Sequence, residues 1–319
     1  MRATRRRRRR SHARLLVIKL GALGDFVQAL GPCAAIRAQH KSAHITLLTT
    51  APFADLARES GYFDEVHVDV RPSWRDIGGW LALRRFLRAG DFERVYDLQT
   101  SDRTSFCFWI MLPGRRPEWS GVARFCSHPD SNPERTRIHT IERQREQLRL
   151  AGVLQTTLPK LAWVEADVER FGLARPYVLL AAGGAAHRPA KRWPIASYGE
   201  FAAALVRKGF LPVLIGGAEE APLALDIRRH CAGARDLCGQ TSLADIVALA
   251  RRAAGAVGND TGPMHLIAGA DCPCLVLFSR ASDPARCAPR AATAEVAILQ
   301  RPNLASLTVV DVEDALVLR

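Results

Sequence analysis

No stretch of this sequence approaches the roughly 18 apolar residues that a membrane-crossing helix requires. Apolar runs such as residues 211–215 are strand-sized. Nor is a secretory signal expected: residues 15–20 are too short for an apolar signal core and run straight into a glycine turn. A cytoplasmic protein is the expectation. Metal and redox signatures are equally sparse. The 8 cysteines form no C-x-x-C pair, and Cys272 and Cys274 flank a proline at a spacing unusual for zinc. They read as small buried hydrophobes, with neither a metal nor a disulfide role. There is no G-x-G-x-x-G to indicate a nicotinamide site and no Gly-Lys-Ser/Thr loop of a nucleotide hydrolase.

Acidic residues are missing from one end. Residues 1–14 carry eight arginines (Arg2, Arg5, Arg6, Arg7, Arg8, Arg9, Arg10 and Arg14) without a single Asp or Glu. Of the formal charge of +13, the rest of the chain therefore holds only +5. Six adjacent like charges repel one another, so residues 1–14 are expected to be a disordered tail. An electrostatic tether to an anionic membrane surface, a nucleic-acid contact and a plain solvated tail all fit it. No helix-turn-helix or RNA-binding signature accompanies the basic charge, so nucleic acid is not the expected partner.

What remains is ordinary globular composition. The 319 residues are 48% hydrophobic and 24% charged, enough to bury a core and long enough for two domains of about 150 residues each. Strand-like and helix-like segments alternate throughout. Strands are expected at residues 15–20, 45–49, 66–68 and 94–98, with helices at 26–39, from 53, and at 77–89. Short apolar runs separated by amphipathic segments indicate a parallel sheet covered by helices. Between residues 102 and 133 the pattern loosens, and Phe106, Phe108, Trp109 and Trp119 stand among basic residues. A helix is expected at 138–151 and a connection at 152–175, after which the alternation restarts. Strands at 177–181, 211–215, 255–257 and 274–278 alternate with helices at 197–208, 219–231, 242–252 and from Pro263, the first of these with a serine N-cap. The reading gives domains at 15–155 and 156–303, a cleft between them suited to a ligand, and a final helical segment at 304–319 packing back on the first domain.

Three turns carry chemistry. Gly21-Ala22-Leu23-Gly24-Asp25 follows the first strand, where Gly21 and Gly24 allow close approach to backbone and Asp25 suits a general base at a strand end. Read alone, Asp25 also fits a helix cap. Ala181-Ala182-Gly183-Gly184-Ala185, followed by Lys191-Arg192-Trp193-Pro194, suits a diphosphate cradled by backbone donors and neutralised by Lys191, although an ordinary surface loop reads the same way. The third is Gly258-Asn259-Asp260-Thr261-Gly262-Pro263-Met264-His265, where a strand ends and a proline opens a helix. Free N–H groups of that helix start, with the Thr261 hydroxyl and His265, make an anion site. A satisfied core histidine is the alternative for His265. No D-x-D carboxylate pair occurs. A leaving diphosphate is therefore expected to be stabilised by cations and helix dipoles, without a bound metal or other cofactor.

With these turns in order, together with residues 19–25, Pro32 and Gly216-Gly217-Ala218-Glu219-Glu220, the sequence resembles glycosyltransferase family 9, the ADP-heptose:lipopolysaccharide heptosyltransferases. The resemblance covers nearly everything after the arginine block. It implies an α/β fold of GT-B architecture: two Rossmann-like domains whose parallel sheets face each other across a cleft, with acceptor in the N-terminal half and nucleotide sugar in the C-terminal half. It implies an inverting transfer with Asp25 as base and Lys191 on the donor phosphates. Asp260, Thr261, Gly262 and His265 match the donor-binding turn, Gly183 and Gly184 the phosphate loop, and Glu220 the acid on the ribose, with Glu219 as a competing register. Gly21 and Gly24 fall on the acceptor-side loop. Two departures stand out: residues 183–186 lack the usual serine or threonine, and residues 278–284 depart from a glycine-proline-threonine pattern.

The function implied is transfer of a heptose from ADP-heptose to a lipopolysaccharide precursor or related glycan, without a required metal and with peripheral contact to the inner membrane. A family 9 transferase with another nucleotide sugar or acceptor, and a catalytically silent nucleotide-diphosphate binding module, are the alternatives.

Overall fold

A computed structural model describes residues 12–114, 116–173, 176–184 and 188–319; all but the last three residues of the arginine-rich 1–14 segment lie outside it, as do Ala185 and Ala186. The chain forms two six-stranded, wholly parallel sheets. The first is built from β1 (Arg14–Ile18), β2 (His44–Thr49), β3 (Glu65–Val68), β4 (Arg94–Asp97), β5 (Glu118–Gly121) and β6 (His128–Pro129). Its order is β3-β2-β1-β4-β5-β6. The second comprises β7 (Tyr177–Ala181), β8 (Leu211–Leu214), β9 (Arg235–Asp236), β10 (Gly255–Asn259), β11 (Cys274–Phe278) and β12 (Val296–Gln300). Its order is β12-β11-β10-β7-β8-β9. Each sheet reverses direction once, at β1/β4 and at β7/β10, and the crevice beyond the strand ends at such a reversal is where open α/β sheets bind ligands.

Helices supply the crossovers: α1 (Leu23–Gln39), α2 (Ala51–Glu59), α3 (Ile77–Ala89), α4 (Asp102–Ile110), α5 (Thr140–Leu150), α6 (Ile195–Arg207), α7 (Ala221–His230), α8 (Leu243–Arg252), α9 (Gly262–Gly269), α10 (Pro284–Cys287) and α11 (Val309–Ala315). Central strands such as β7 and β11 are buried at every residue, as apolar runs between two helical layers must be. No described helix is long and apolar enough to cross a membrane.

The chain sorts into two compact units. The first comprises residues through Leu20, Cys33–Asn132 and Glu146–Gln155; the second comprises Gly21–Pro32, Pro133–Arg145 and Thr156–Arg319. The first unit centres on Leu16, Ile18, Trp80, Val95, Phe108 and Trp119. The second centres on Val178, Leu180, Trp193, Phe201, Val257 and Leu275.

Two expectations need correction. The final helix does not pack back on the first half: Val312 belongs to the apolar core of the second unit, and Arg319 donates to the carbonyls of Ala253 and Ala250 at the end of α8. The apolar residues of α11 are satisfied next to α6 and β12, both elements of the second unit. The serine expected to cap α6 lies inside it, and Pro194 occupies the N-cap position. Proline's fixed φ sets the entry of the chain, but it supplies no side-chain acceptor, and α6 has no side-chain cap bond. The sequence also hides α4 and the two-residue strands, which carry no sustained apolar period; β12 goes unpredicted although its short apolar run at residues 296–299 offers a signal.

Candidate active site

The candidate residues converge within the second unit, where β7 and β10 part. Gly21 turns the chain at φ 123°, a backbone conformation that favours glycine, and α1 begins two residues later. Asp25 therefore sits inside the first turn of α1, half-buried, rather than before the helix. That turn is pressed onto the start of α9. A Cβ on Gly24 would lie 2.7 Å from His265 Cδ2, and one on Gly262 would lie 2.7 Å from Leu23 Cβ. Both glycines are thus required by close approach, and two helix starts, each with a surplus of N–H groups, lie side by side.

His265 is buried, and its ring is held by Gln28, whose side-chain Nε2 donates to Nδ1 at 3.2 Å and to the Cys287 carbonyl at 3.1 Å. With Nδ1 accepting, the ring proton is on Nε2, the edge that faces Gly24. Burial pushes the imidazole down to about 4, against the opposing pull of the Asp260 and Asp25 carboxylates. It is neutral at ordinary pH and offers a hydrogen-bond donor without a charge.

The fixed charge comes from Lys191, whose Nζ lies 2.6 Å from Asp260 Oδ2, with both side chains largely buried. The charges of Asp260, Lys191 and Asp25 all reach the Cys287 thiol, which burial and the Asp260 carboxylate push up to about 11. Asp25 follows Gly24 on α1 and Asp260 precedes Thr261 at the start of α9, so both carboxylates flank the two helix starts that Gly24 and Gly262 bring together. Thr261 is the N-cap residue of α9, yet its hydroxyl makes no cap bond, so both the hydroxyl and the helix start remain free to serve a ligand.

A second group of candidates sits at the end of β7. A Cβ on Gly183 would lie 2.6 Å from Glu220 Oε1, so the Glu220 side chain covers that glycine, while its Oε2 accepts the Gly217 N–H at 2.7 Å. Glu219, exposed, approaches Gly217 instead. Of the two acids, Glu220 is the one at the candidate phosphate loop. Gly184 adopts φ 153°, and Arg192 donates to its carbonyl.

Asn259 ties the two groups together. Fully buried at the end of β10, it donates to the carbonyls of Ala182 and Gly183 at 2.8 and 3.0 Å and accepts the Trp193 N–H at 3.0 Å. Neither Asn259 nor Gln28 stands out in the sequence as a site residue. Gln28 had a usable signal, because it falls three residues after Asp25 on the same helical face. At the departure in residues 278–284, Ser279 Oγ accepts the Ala281 N–H and Asp283 caps α10. Among the described residues, no three His, Cys, Asp or Glu side chains are grouped to hold a metal ion.

Comparison with known proteins agrees with this architecture. A glycosyltransferase family 9 structure from Veillonella parvula superposes with a TM-score of 0.82 at 21% identity, covering 95% of each chain. The structure of the Escherichia coli ADP-heptose lipopolysaccharide heptosyltransferase II gives 0.77 at 23% identity, covering 95% of this chain and 97% of that one. The fold is α/β of the GT-B class, the two-unit framework of many glycosyltransferases. The profile described as Glycosyltransferase family 9 (heptosyltransferase) matches residues 80–316, and the chain belongs to that family. It is a glycosyltransferase. Among its relatives, lipopolysaccharide heptosyltransferase 2 of Salmonella typhimurium is 26% identical over 291 residues, spanning 84% of this chain and 83% of the relative.

Proposed function

We propose that the protein transfers a heptose from ADP-heptose, with inversion, to the lipopolysaccharide inner core (lipid A–Kdo) or a related surface glycan, at the cytoplasmic face of the inner membrane. The supporting observation is the gathering of Asp25, Lys191, Asp260 and His265 around the paired starts of α1 and α9. An acceptor hydroxyl attacks the anomeric carbon as the bond from that carbon to the diphosphate oxygen breaks. Asp25 takes the hydroxyl proton, and Gly21 and Gly24 shape the acceptor-side loop. The departing negative charge falls on Lys191, which Asp260 holds in place within the α9 turn, and on the donors of that turn, residues Thr261, Gly262 and His265. Such preorganised donors, acting where charge develops, are the largest single source of catalysis in comparable sites. Gly183 and Gly184 bring backbone to the phosphates, and Glu220 accepts from the ribose hydroxyls. No metal is required in this reading. The arginine-rich residues 1–14 add an electrostatic tether to the anionic membrane surface.

The family membership, the Salmonella relative and the E. coli structure's description support the heptose and ADP assignments. Two measurements test them. Asp25→Asn is expected to lower the transfer rate by about 10²–10⁴-fold, the range for losing a general base, while leaving ADP affinity and melting temperature unchanged. A near-wild-type rate removes Asp25 from the mechanism. Calorimetric titration with ADP, UDP, GDP and ADP-heptose, in EDTA, is expected to select the ADP compounds; preference for UDP or GDP sinks the heptose assignment.

A further inference from the structure

The aromatic residues between 102 and 133 are only partly explained by the core. Phe108 and Trp119 are buried, but Phe106 and Trp109, one turn apart on α4, are exposed. They continue a ridge on the first unit in which Trp74 is 66%, Ile77 72% and Phe125 68% exposed. Two ring groups form it, both reaching α4: the Trp74 ring lies 5.6 Å from Phe106 and 5.2 Å from Trp80, and Trp109, one turn along α4 from Phe106, lies 6.3 Å from Phe125. Below it, the Arg103 guanidinium sits 4.6 Å over Trp80 and pairs with Asp69 at 3.4 Å, which fixes the base. Large apolar side chains exposed together on one helix and its neighbouring loops mark an interaction site.

The rim identifies the partner. Arg71 and Arg75 flank Trp74 in the chain, the Arg116 guanidinium lies 6.0 Å from the Trp109 ring, and that of Arg124 lies 4.7 Å from Phe125. Among the described residues, none of these four arginines has a carboxylate partner. The nearby acid Asp76 is turned back to accept the Gly79 N–H at 2.8 Å. Unpaired cations around exposed rings call for a surface dense in phosphate with an apolar layer beneath it. A single-stranded nucleic acid would use the rings and the arginines, since its bases stack and its phosphates pair. It would leave Ile77 and the 81%-exposed Val70 without purpose.

We propose that this ridge docks the protein on an anionic lipid bilayer. Trp74, Ile77, Phe106, Trp109 and Phe125 enter the boundary between headgroups and acyl chains, where tryptophan prefers to sit, and the four arginines meet lipid phosphates. None of these residues belongs to the arginine-rich N-terminal segment, and the contact does not depend on which sugar is transferred.

The test is co-sedimentation of the full-length chain with phosphatidylcholine vesicles, with and without phosphatidylglycerol. Wild type is expected to partition onto the phosphatidylglycerol vesicles. The double variant Trp74→Ser/Phe125→Ser is expected to partition roughly tenfold or more weakly, as loss of two inserted apolar side chains implies, with its N-terminal arginines intact. Unchanged ADP binding and melting temperature confirm its fold. Ile77→Ser, at an exposed position that opens α3, provides the same reading if the double variant does not fold. Arg116→Gln/Arg124→Gln is expected to reduce the phosphatidylglycerol dependence. Wild-type partitioning by these variants overturns the proposal, as does a ridge whose loss weakens binding of a single-stranded oligonucleotide but not of vesicles.

Discussion

At residue scale, the site depends on a space that one carbon atom would fill. A Cβ at position 24 would stand 2.7 and 2.8 Å from His265 Cδ2 and Nε2, and the ring has no room to retreat, being buried and held through Nδ1 by Gln28. Gly24→Ala is therefore expected to destabilise the protein by about 1–3 kcal/mol, as overpacking does, and to weaken ADP binding. Thermal unfolding with and without ADP reads both effects; an unshifted melting temperature would mean that α1 and α9 move apart freely. His265 also sets a pH dependence. Its imidazole titrates near 6.5 when unfolded and about 4 when folded. Between those values the unfolded chain binds a proton that the folded chain refuses, so this contribution to stability is full above pH 6.5 and is lost as pH falls toward 4. At 1.36 kcal/mol per unit, the loss amounts to about 3 kcal/mol. Asp97, buried in the first unit and pushed up to about 6, acts in the opposite direction over part of the same range. Comparing wild type with His265→Gln by urea unfolding at pH 4 to 7 cancels Asp97. The stability difference should shift against wild type as pH falls, and a constant difference would show that His265 is not held neutral.

At the scale of elements, Asn259 joins the ends of β7 and β10 to the start of α6. Asn259→Ala leaves the Ala182 and Gly183 carbonyls and the Trp193 N–H without their buried partner. Losing partners of that kind costs about 1–3 kcal/mol each, so a total of at least about 3 kcal/mol is expected in urea unfolding, together with weaker ADP binding. A loss below 1 kcal/mol would mean that the loop rearranges to satisfy itself. Asn259 also shows where sequence reasoning stops. The strand, the turn and the helix around it are legible because apolar runs and Gly-Pro punctuation are local signals, and Tyr177–Ala181, Ile77–Ala89 and Cys274–Phe278 have the bounds that the apolar pattern predicts. The partners of Asn259 lie 66 to 77 residues away, and those of Gln28 lie more than 230 away. Which polar side chain meets which backbone at that distance is decided by packing, not by spacing. The same holds for α11: its apolar face was visible, but the surface that receives it was not.

At the scale of the whole molecule, the chain does not divide where its sequence changes character. The connection at residues 152–175 is a natural place to cut, yet Gly21–Pro32 and Pro133–Arg145 belong by their contacts to the second unit. They bring it Asp25 and Gln28, and they place His139 Nε2 at 3.0 Å from the Ala288 carbonyl and Glu142 at 2.6 Å from Arg290. Gly31 is so close to the Thr157 carbonyl that a Cβ there would lie 2.0 Å from it, so the segment is seated tightly. A fragment of residues 156–319 keeps the whole of the second sheet, Lys191, Asp260 and His265, and by sequence alone it is a complete nucleotide-binding domain. By contacts it is not, because removing residues 21–32 uncovers Gly262, His265 and Gly269, and removing residues 133–145 uncovers Ala288 and Arg290. The fragment is accordingly expected to unfold without a sharp cooperative transition and to bind ADP at least tenfold more weakly than the full chain. Circular dichroism melting and calorimetry on the purified fragment measure both. A cooperative melt with the full chain's ADP affinity would mean that the two early segments serve the acceptor alone, and that the donor site is complete without the helix start that carries Asp25.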